Sequence, residues 1–320
     1  MRIRVVDLDG SVPSQRKLIK LYRPSVHQLE HWGPRVRLGC SSGRFDRFER
    51  SLSRALGGPV DDEAHATFLG SGDFHHVSLA LLRRQRRPVN LLVIDNHPDW
   101  MRKIPFVHCG TWLYHAARLP QVKQIFHVGG DVDFDNYFQW LAPWDELNRG
   151  KIVVLPAVRR LRGWRWAKVG NDALLGKSYP AAPYSLPPGR LKDFLRPYRR
   201  DLTSRPLYIS LDKDVLRADY APVNWDSGHM SVMQLRAVME AFLMAAGGNL
   251  AGIDIVGDWS PVRLRGLFRR ALHLTEHPSL RVESFAATRA NEQTNLALME
   301  SLDWFARATS ERTKELAAAS

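Results

Sequence analysis

Residues 91–100, LLVIDNHPDW, constrain the fold more than any other stretch of the chain. The bulky apolar run LLVI has no polar face, so a strand made from it must be covered on both sides, as in a parallel sheet. The run ends abruptly in Asp95, Asn96, His97, Pro98 and Asp99. In open α/β sheets the carboxyl ends of strands are where ligands bind. Two carboxylates and an imidazole at alternate positions of an extended segment bring donors suited to Mn, Zn or Fe towards one point. On this stretch alone, turn and helix-cap roles for Asp95 and Asp99, with His97 as a loop histidine, compete evenly.

The same pattern, an apolar run closing in acids or histidines, recurs along the chain. Residues 66–72 read as a short strand ending in glycines, followed by Asp73, Phe74, His75, His76 and the helical run VSLALLRR. Residues 124–129 lead into GGDVDFDNYF, which carries Asp131, Asp133 and Asp135. Residues 206–211, PLYISL, end in Asp212, Lys213 and Asp214, and residues 251–256 precede Gly257 and Asp258. Further strands are expected at 2–9, 151–155 and 284–288, and helices at 45–55, 106–119, 230–246 and 291–317. Strands alternating with helices predict a three-layer, doubly wound parallel α/β sheet. A single domain over 1–320 is expected, with an irregular Pro-, Gly- and Arg-rich insertion at about 156–200 and the terminal helix at about 291–317. Neighbouring strand ends meet at one crevice, where so many carboxylates would repel one another without cations. Two divalent metals bridged by a carboxylate relieve that repulsion and activate water at neutral pH.

Near the N-terminus, VVDLDGSV resembles the nucleophile loop of haloacid-dehalogenase phosphatases, although no Ser/Thr, Lys and paired-Asp stretches follow in that family's order. A strand ending in an Asp-Gly turn is the competing interpretation. The order of the other motifs resembles the ureohydrolase superfamily (arginases, agmatinases and formiminoglutamases), whose fold is shared by histone-deacetylase-like enzymes. The resemblance covers most of residues 66–262: GSGDFHHVSL at 70–79 is similar to the Gly-Gly-Asp-His-Ser motif, DNHPD at 95–99 to Asp-x-His-x-Asp, and SLDKD at 210–214 to Ser-x-Asp-x-Asp, with a Gly228–Ser231 helix start after it. It implies two Mn(2+) ions held by His75, Asp95, His97, Asp99, Asp212 and Asp214, with His76 as the alternative to His75. It implies an acid/base role for His108, for which plain helix capping is the alternative. Asp99 is counted with the catalytic groups as well as the ligands. Asp133, with Asn136 in place of the family's following Glu, matches contacts to the substrate's amino-acid end.

The departures from the family bear on the substrate. The position of the guanidinium-binding Glu is Gly257, and counting back from Pro261 places Asp258 there with one residue inserted. Asp258 is therefore the candidate for both catalysis and substrate binding, since a carboxylate suits a planar guanidinium. No Asn or Ser lies between Asp99 and His108, where the family grips a free α-carboxylate. The wording looks closest to the arginase-like branch that converts arginine to ornithine within peptides. The expected activity is thus a binuclear amidinohydrolase acting on an arginine-containing peptide. A small-molecule ureohydrolase, a single-zinc deacetylase-like amidohydrolase and a non-enzymatic metal-holding protein are the alternatives. The net charge of +13, from 46 Lys+Arg against 33 Asp+Glu, is scattered in short clusters with no long basic arm or nucleic-acid motif; nucleic acid is not expected, and an acidic protein or peptide explains the charge equally well. No apolar run long enough for a transmembrane helix and no secretory signal are read, and two cysteines suit a reducing compartment; a cytoplasmic protein is expected, with a homo-oligomer left open.

Overall fold

The computed structural model describes residues 1–57, 63–102, 105–130, 140–156, 188–265, 273 and 282–318. Among them the strands are β1 (Arg2–Asp7), β2 (Ser25–Gln28), β3 (Gly39–Ser41), β4 (His65–Gly70), β5 (Val89–Ile94), β6 (Phe106–His108), β7 (Val122–Gly129), β8 (Ile152–Pro156), β9 (Leu207–Asp212) and β10 (Leu250–Val256). Eight of these form one sheet in the order β2-β1-β4-β10-β9-β5-β7-β8, and every pairing in it is parallel. The other two, β3 and β6, pair antiparallel in a separate ribbon. The helices are α1 (Arg16–Tyr22), α2 (Gly33–Val36), α3 (Ser42–Ala55), α4 (Val77–Arg83), α5 (Trp112–Ala116), α6 (Trp144–Asn148), α7 (Pro188–Leu195), α8 (Arg199–Thr203), α9 (Val232–Ala245) and α10 (Ser284–Ala318).

The apolar runs divide between two cores because successive side chains of a strand face opposite sides. On β5, Leu92 and Ile94 join a core with Phe126, Ile209, Val238, Phe242 and Leu298. Leu91 and Val93 join a second core with Phe45, Phe48, Leu79, Trp112 and Leu113. All six residues of β5 and of β9 are buried, which explains why neither run alternates in polarity. Helices α7, α9 and α10 cover the first face, and α3, α4 and α5 the second. The molecule is the three-layer, doubly wound parallel α/β fold expected from the sequence.

The topology positions the site. The chain builds the sheet outward from β4 on one side and from β5 on the other, then returns to insert β9 and β10 between them. Strands β4, β10, β9 and β5 are consecutive neighbours and parallel, so their carboxyl ends open on one crevice.

Three expectations differ. The 284–288 segment is the start of α10, because the Glu283 carboxylate accepts from the backbone N–H groups of Phe285 and Ala286 and caps the helix. The expected helix over 106–119 is instead β6, a 3₁₀ turn at Cys109–Thr111 and the short α5. Pairing of β6 with β3 holds Phe106–His108 extended. Of the expected irregular stretch at 156–200, the described part from Pro188 onward is helical; residues 157–187 lie outside the described residues.

Candidate metal centre

Four of the side chains expected at the crevice come from loops that leave β4 and β5. His75 follows a 3₁₀ turn at Gly72–Phe74, whose first N–H groups are capped by Ser71. Asp95, His97 and Asp99 follow β5 directly, and Asp99 takes a left-handed backbone with φ +50°. Asp tolerates that conformation better than most residues. Asp212 is the last residue of β9, and its carboxylate accepts the N–H of Asp214, which fixes the turn between them.

Five of the six side chains meet in two overlapping groups, and Asp212 lies beside the first. His75, Asp95 and Asp99 offer one ligand atom each within 4.8 Å of one another, as do Asp95, His97 and Asp214. Asp95 belongs to both groups. His75 Nδ1 lies 2.9 Å from Asp99 Oδ2, 3.1 Å from Asp95 Oδ2 and 3.6 Å from Asp212 Oδ2. His97 Nδ1 lies 2.8 Å from Asp214 Oδ2 and 3.9 Å from Asp95 Oδ1.

The outer nitrogens of both imidazoles are already occupied. Ser210 Oγ donates to Asp254 at 2.7 Å, so its oxygen accepts from His75 Nε2 at 3.0 Å. Asp226 Oδ1 accepts from His97 Nε2 at 3.0 Å. Each ring is thereby held by a partner at Nε2 with its Nδ1 turned into the cluster, the orientation metal-binding histidines take. Trp112 donates its indole N–H to Asp99 Oδ2 at 2.8 Å and packs on His75 with ring centroids 4.8 Å apart. Ser210, Asp254, Trp112 and Asp226 were not named as site residues from the sequence. Ser210 had a signal, the serine of the SLDKD motif, and so had Asp254, the acid of the following strand. Trp112 and Asp226 had none.

Electrostatics point the same way. Burial pushes Asp212 well up, helped by Asp214, and burial together with Asp95 raises Asp214 to about 6. Burial would lower His75, but Asp95 and Asp99 outweigh it and hold the ring well above its usual value. His97 is likewise buried against its charge and held up by Asp214. Protons thus crowd a site whose own positive groups are too few for its carboxylates. Four aspartates and two imidazole Nδ1 atoms, mixed hard and borderline donors, fit a pair of divalent cations such as Mn or Zn.

The remaining expected residues fall in different places. His75, not His76, faces the cluster; His76 is buried against Phe45, and burial and the neighbouring His108 lower it to about 3. His108 ends β6 and is buried; its Nδ1 accepts from the N–H of Gly110 at 3.0 Å, leaving Nε2 for the ring proton. The adjoining Cys109–Thr111 turn packs against the Gly72–Phe74 turn that leads to His75. Asp258 is committed elsewhere: its Oδ1 accepts from Gln15 at 2.5 Å, Lys213 at 2.9 Å and Asn295 at 3.1 Å. Gly257, at φ +89°, faces Asp212 instead, and a Cβ there would sit 2.5 Å from Asp212 Oδ1. No longer side chain fits at that point. Asp133 and Asn136 lie outside the described residues. The N-terminal Asp7 and Asp9 serve turns: Asp7 Oδ1 accepts from Gly10, while Asp9 Oδ2 accepts from Ser71 and Ser260 and joins the loops after β4 and β10.

No protein-family model matches the chain. It is 26% identical over 260 residues to an uncharacterised protein of Thermotoga maritima, covering 81% of this chain and 81% of that protein. In structure it is similar to formimidoylglutamase from Bacillus subtilis, with a TM-score of 0.53 and 14% identity over 95% of this chain and 87% of that one. It is also similar to agmatine ureohydrolase of Thermoplasma volcanium, with a TM-score of 0.52 and 13% identity over 96% and 90%. Arginase from Bacillus subtilis gives a TM-score of 0.52 and 11% identity over 93% and 98%. The chain thus has the arginase-like α/β fold.

Proposed function

We propose that this chain is a ureohydrolase-type enzyme, a binuclear metal-dependent amidinohydrolase that cleaves a guanidino group to urea and an amine. The observation that carries the reading is Asp95, one buried carboxylate shared by two groups of donors. His75, Asp95, Asp99 and Asp212 would hold one cation, and Asp95, His97, Asp212 and Asp214 the other. Manganese is the proposed metal. A pair of divalent cations supplies Lewis acidity and activated water at neutral pH.

The protein's own groups do the rest. Asp99, oriented by the Trp112 indole N–H, is the proposed proton acceptor. His108 holds an exchangeable proton at Nε2, where it can be passed to the departing amine. Trp112, fully buried against His75, excludes bulk water from that side and strengthens the polar contacts there.

Arginine within a peptide, yielding ornithine, is the proposed substrate; the likenesses to an arginase, an agmatine ureohydrolase and a formimidoylglutamase support guanidino or related chemistry more broadly. The free amino-acid clamp of the family is missing from 99–108, and the charge of +13 suits a partly acidic peptide. Asp133 and Asn136 remain proposed contacts to the substrate backbone. Incubation of manganese-loaded protein with arginine, agmatine and an arginine-containing peptide tests the reading. Urea should be released, with matching mass loss on the peptide; no urea from any of the three would refute it.

A further inference from the structure

The locked Asp258 and the crowded Gly257 leave the amidinohydrolase reading without a carboxylate to receive a guanidinium from that side. Among the described residues the cluster is more exposed on another side. The His75 side chain is 1% exposed, whereas that of His97 is 30% exposed, so a substrate reaches the centre past His97. Asp226 stands there with its side chain 69% exposed, and its contact to His97 Nε2 uses Oδ1. Beside it the Trp225 indole packs on the His97 ring, centroids 5.6 Å apart at 60°.

This wall is rigidly mounted. Trp225 donates its N–H to Asp73 Oδ1 at 2.9 Å. Asn224 Oδ1 accepts from Ser71 Oγ at 3.0 Å and from the N–H of Ser260 at 3.1 Å, and its amide donates to the Ser260 carbonyl at 2.9 Å. The segment is thereby stitched to the loops that follow β4 and β10.

We propose that Asp226 and Trp225 are the cation-recognising wall of this site, pairing with the N–H edge of a substrate guanidinium and stacking on its plane. The proposal rests on the amidinohydrolase reading and narrows it to substrates with a flat cationic head. A carboxylate matches the donor edge of a guanidinium, and an indole face attracts its charge. Because Asp226 lies at the exposed rim, the body of the substrate extends into solvent, as an arginine side chain within a longer peptide requires.

The test compares a capped arginyl peptide with the same peptide carrying citrulline, which has the same shape but no charge. Binding to manganese-loaded protein is read by tryptophan fluorescence within milliseconds of mixing, and urea and metal content are measured in parallel. Wild type should prefer the arginyl peptide by roughly tenfold to a hundredfold. Asp226→Asn keeps an oxygen for His97 Nε2, so it should retain its metal and its citrullinyl affinity while losing the preference. Trp225→Leu should weaken both peptides. An undiminished preference in Asp226→Asn, no preference in wild type, or metal loss in Asp226→Asn overturns the proposal. Preferential binding without urea would instead refute the hydrolase reading and leave the cation wall standing.

Discussion

Two buried polar regions meet at the end of β9 and balance their charge by opposite means. Asp212 and Asp214 point into the crevice, while Lys213 between them points the other way. On that other side the Lys213 ammonium donates to Asp258 Oδ1 at 2.9 Å and to Asn291 Oδ1 at 2.8 Å, and Gln15 and Asn295 donate to the same Asp258 oxygen. The acid there faces a fixed ammonium and two amides at Oδ1, so its charge is balanced by the chain itself. In the crevice, acids face acids, and among the described residues the groups there able to carry positive charge are imidazoles. The contrast separates scaffold from candidate site: Asp258 faces an ammonium, whereas the crevice carboxylates face one another.

Breaking the crevice at its shared member has the largest effect. Asp95→Ala should abolish retention of both cations, measured as metal per chain after dialysis; retention of both would end the shared-carboxylate reading. On the scaffold side, Lys213→Met strands Asp258 and should cost about 3–5 kcal/mol in denaturant unfolding. The double variant with Asp258→Leu should recover most of that, and both should keep the metals; a neutral single variant would remove the contrast. Trp112→Phe sharpens it from the crevice side. Losing the indole donor to Asp99 should weaken metal binding roughly 10–100-fold with little change in unfolding, read by chelator competition.

The pH dependence of metal-free protein is the smallest effect. His75 and His97 are held up by the acids, so the stability they contribute is present at low pH and lost as pH rises above about 6.5. Asp214, raised by burial to about 6, acts in the same sense from its unfolded value upward. His76, lowered to about 3, opposes them below its unfolded value. The melting temperature of metal-free protein should therefore fall between pH 7 and pH 9, and added manganese should flatten that slope. A rising melting temperature in that window would contradict the assignment.

The sheet was legible because its strands are buried on both faces and carry unmixed apolar runs. Its edges were not: Ser25–Gln28 is a four-residue strand with mostly exposed side chains, and no apolar run marks it. The six cluster residues were legible because each follows a strand end within a few positions. Their supports were harder to see, since Trp112 reads as another core aromatic and Asp226 as a loop acid. Asp258 shows the limit of counting along a motif. One inserted residue turned it from the crevice to the Lys213 side, and only the buried ammonium reveals the change of direction.

The insertion of β9 and β10 between β4 and β5 has a consequence for how the molecule is made. A ribosome delivers the two halves of the sheet first, each with a raw inner edge whose backbone groups seek a mate. The last two strands must slot into the gap, and Asp212 and Asp214 arrive with them. The donors of the crevice are therefore complete only at the end of synthesis, and a chain stalled before residue 207 presents two sticky borders and half a nest of acids.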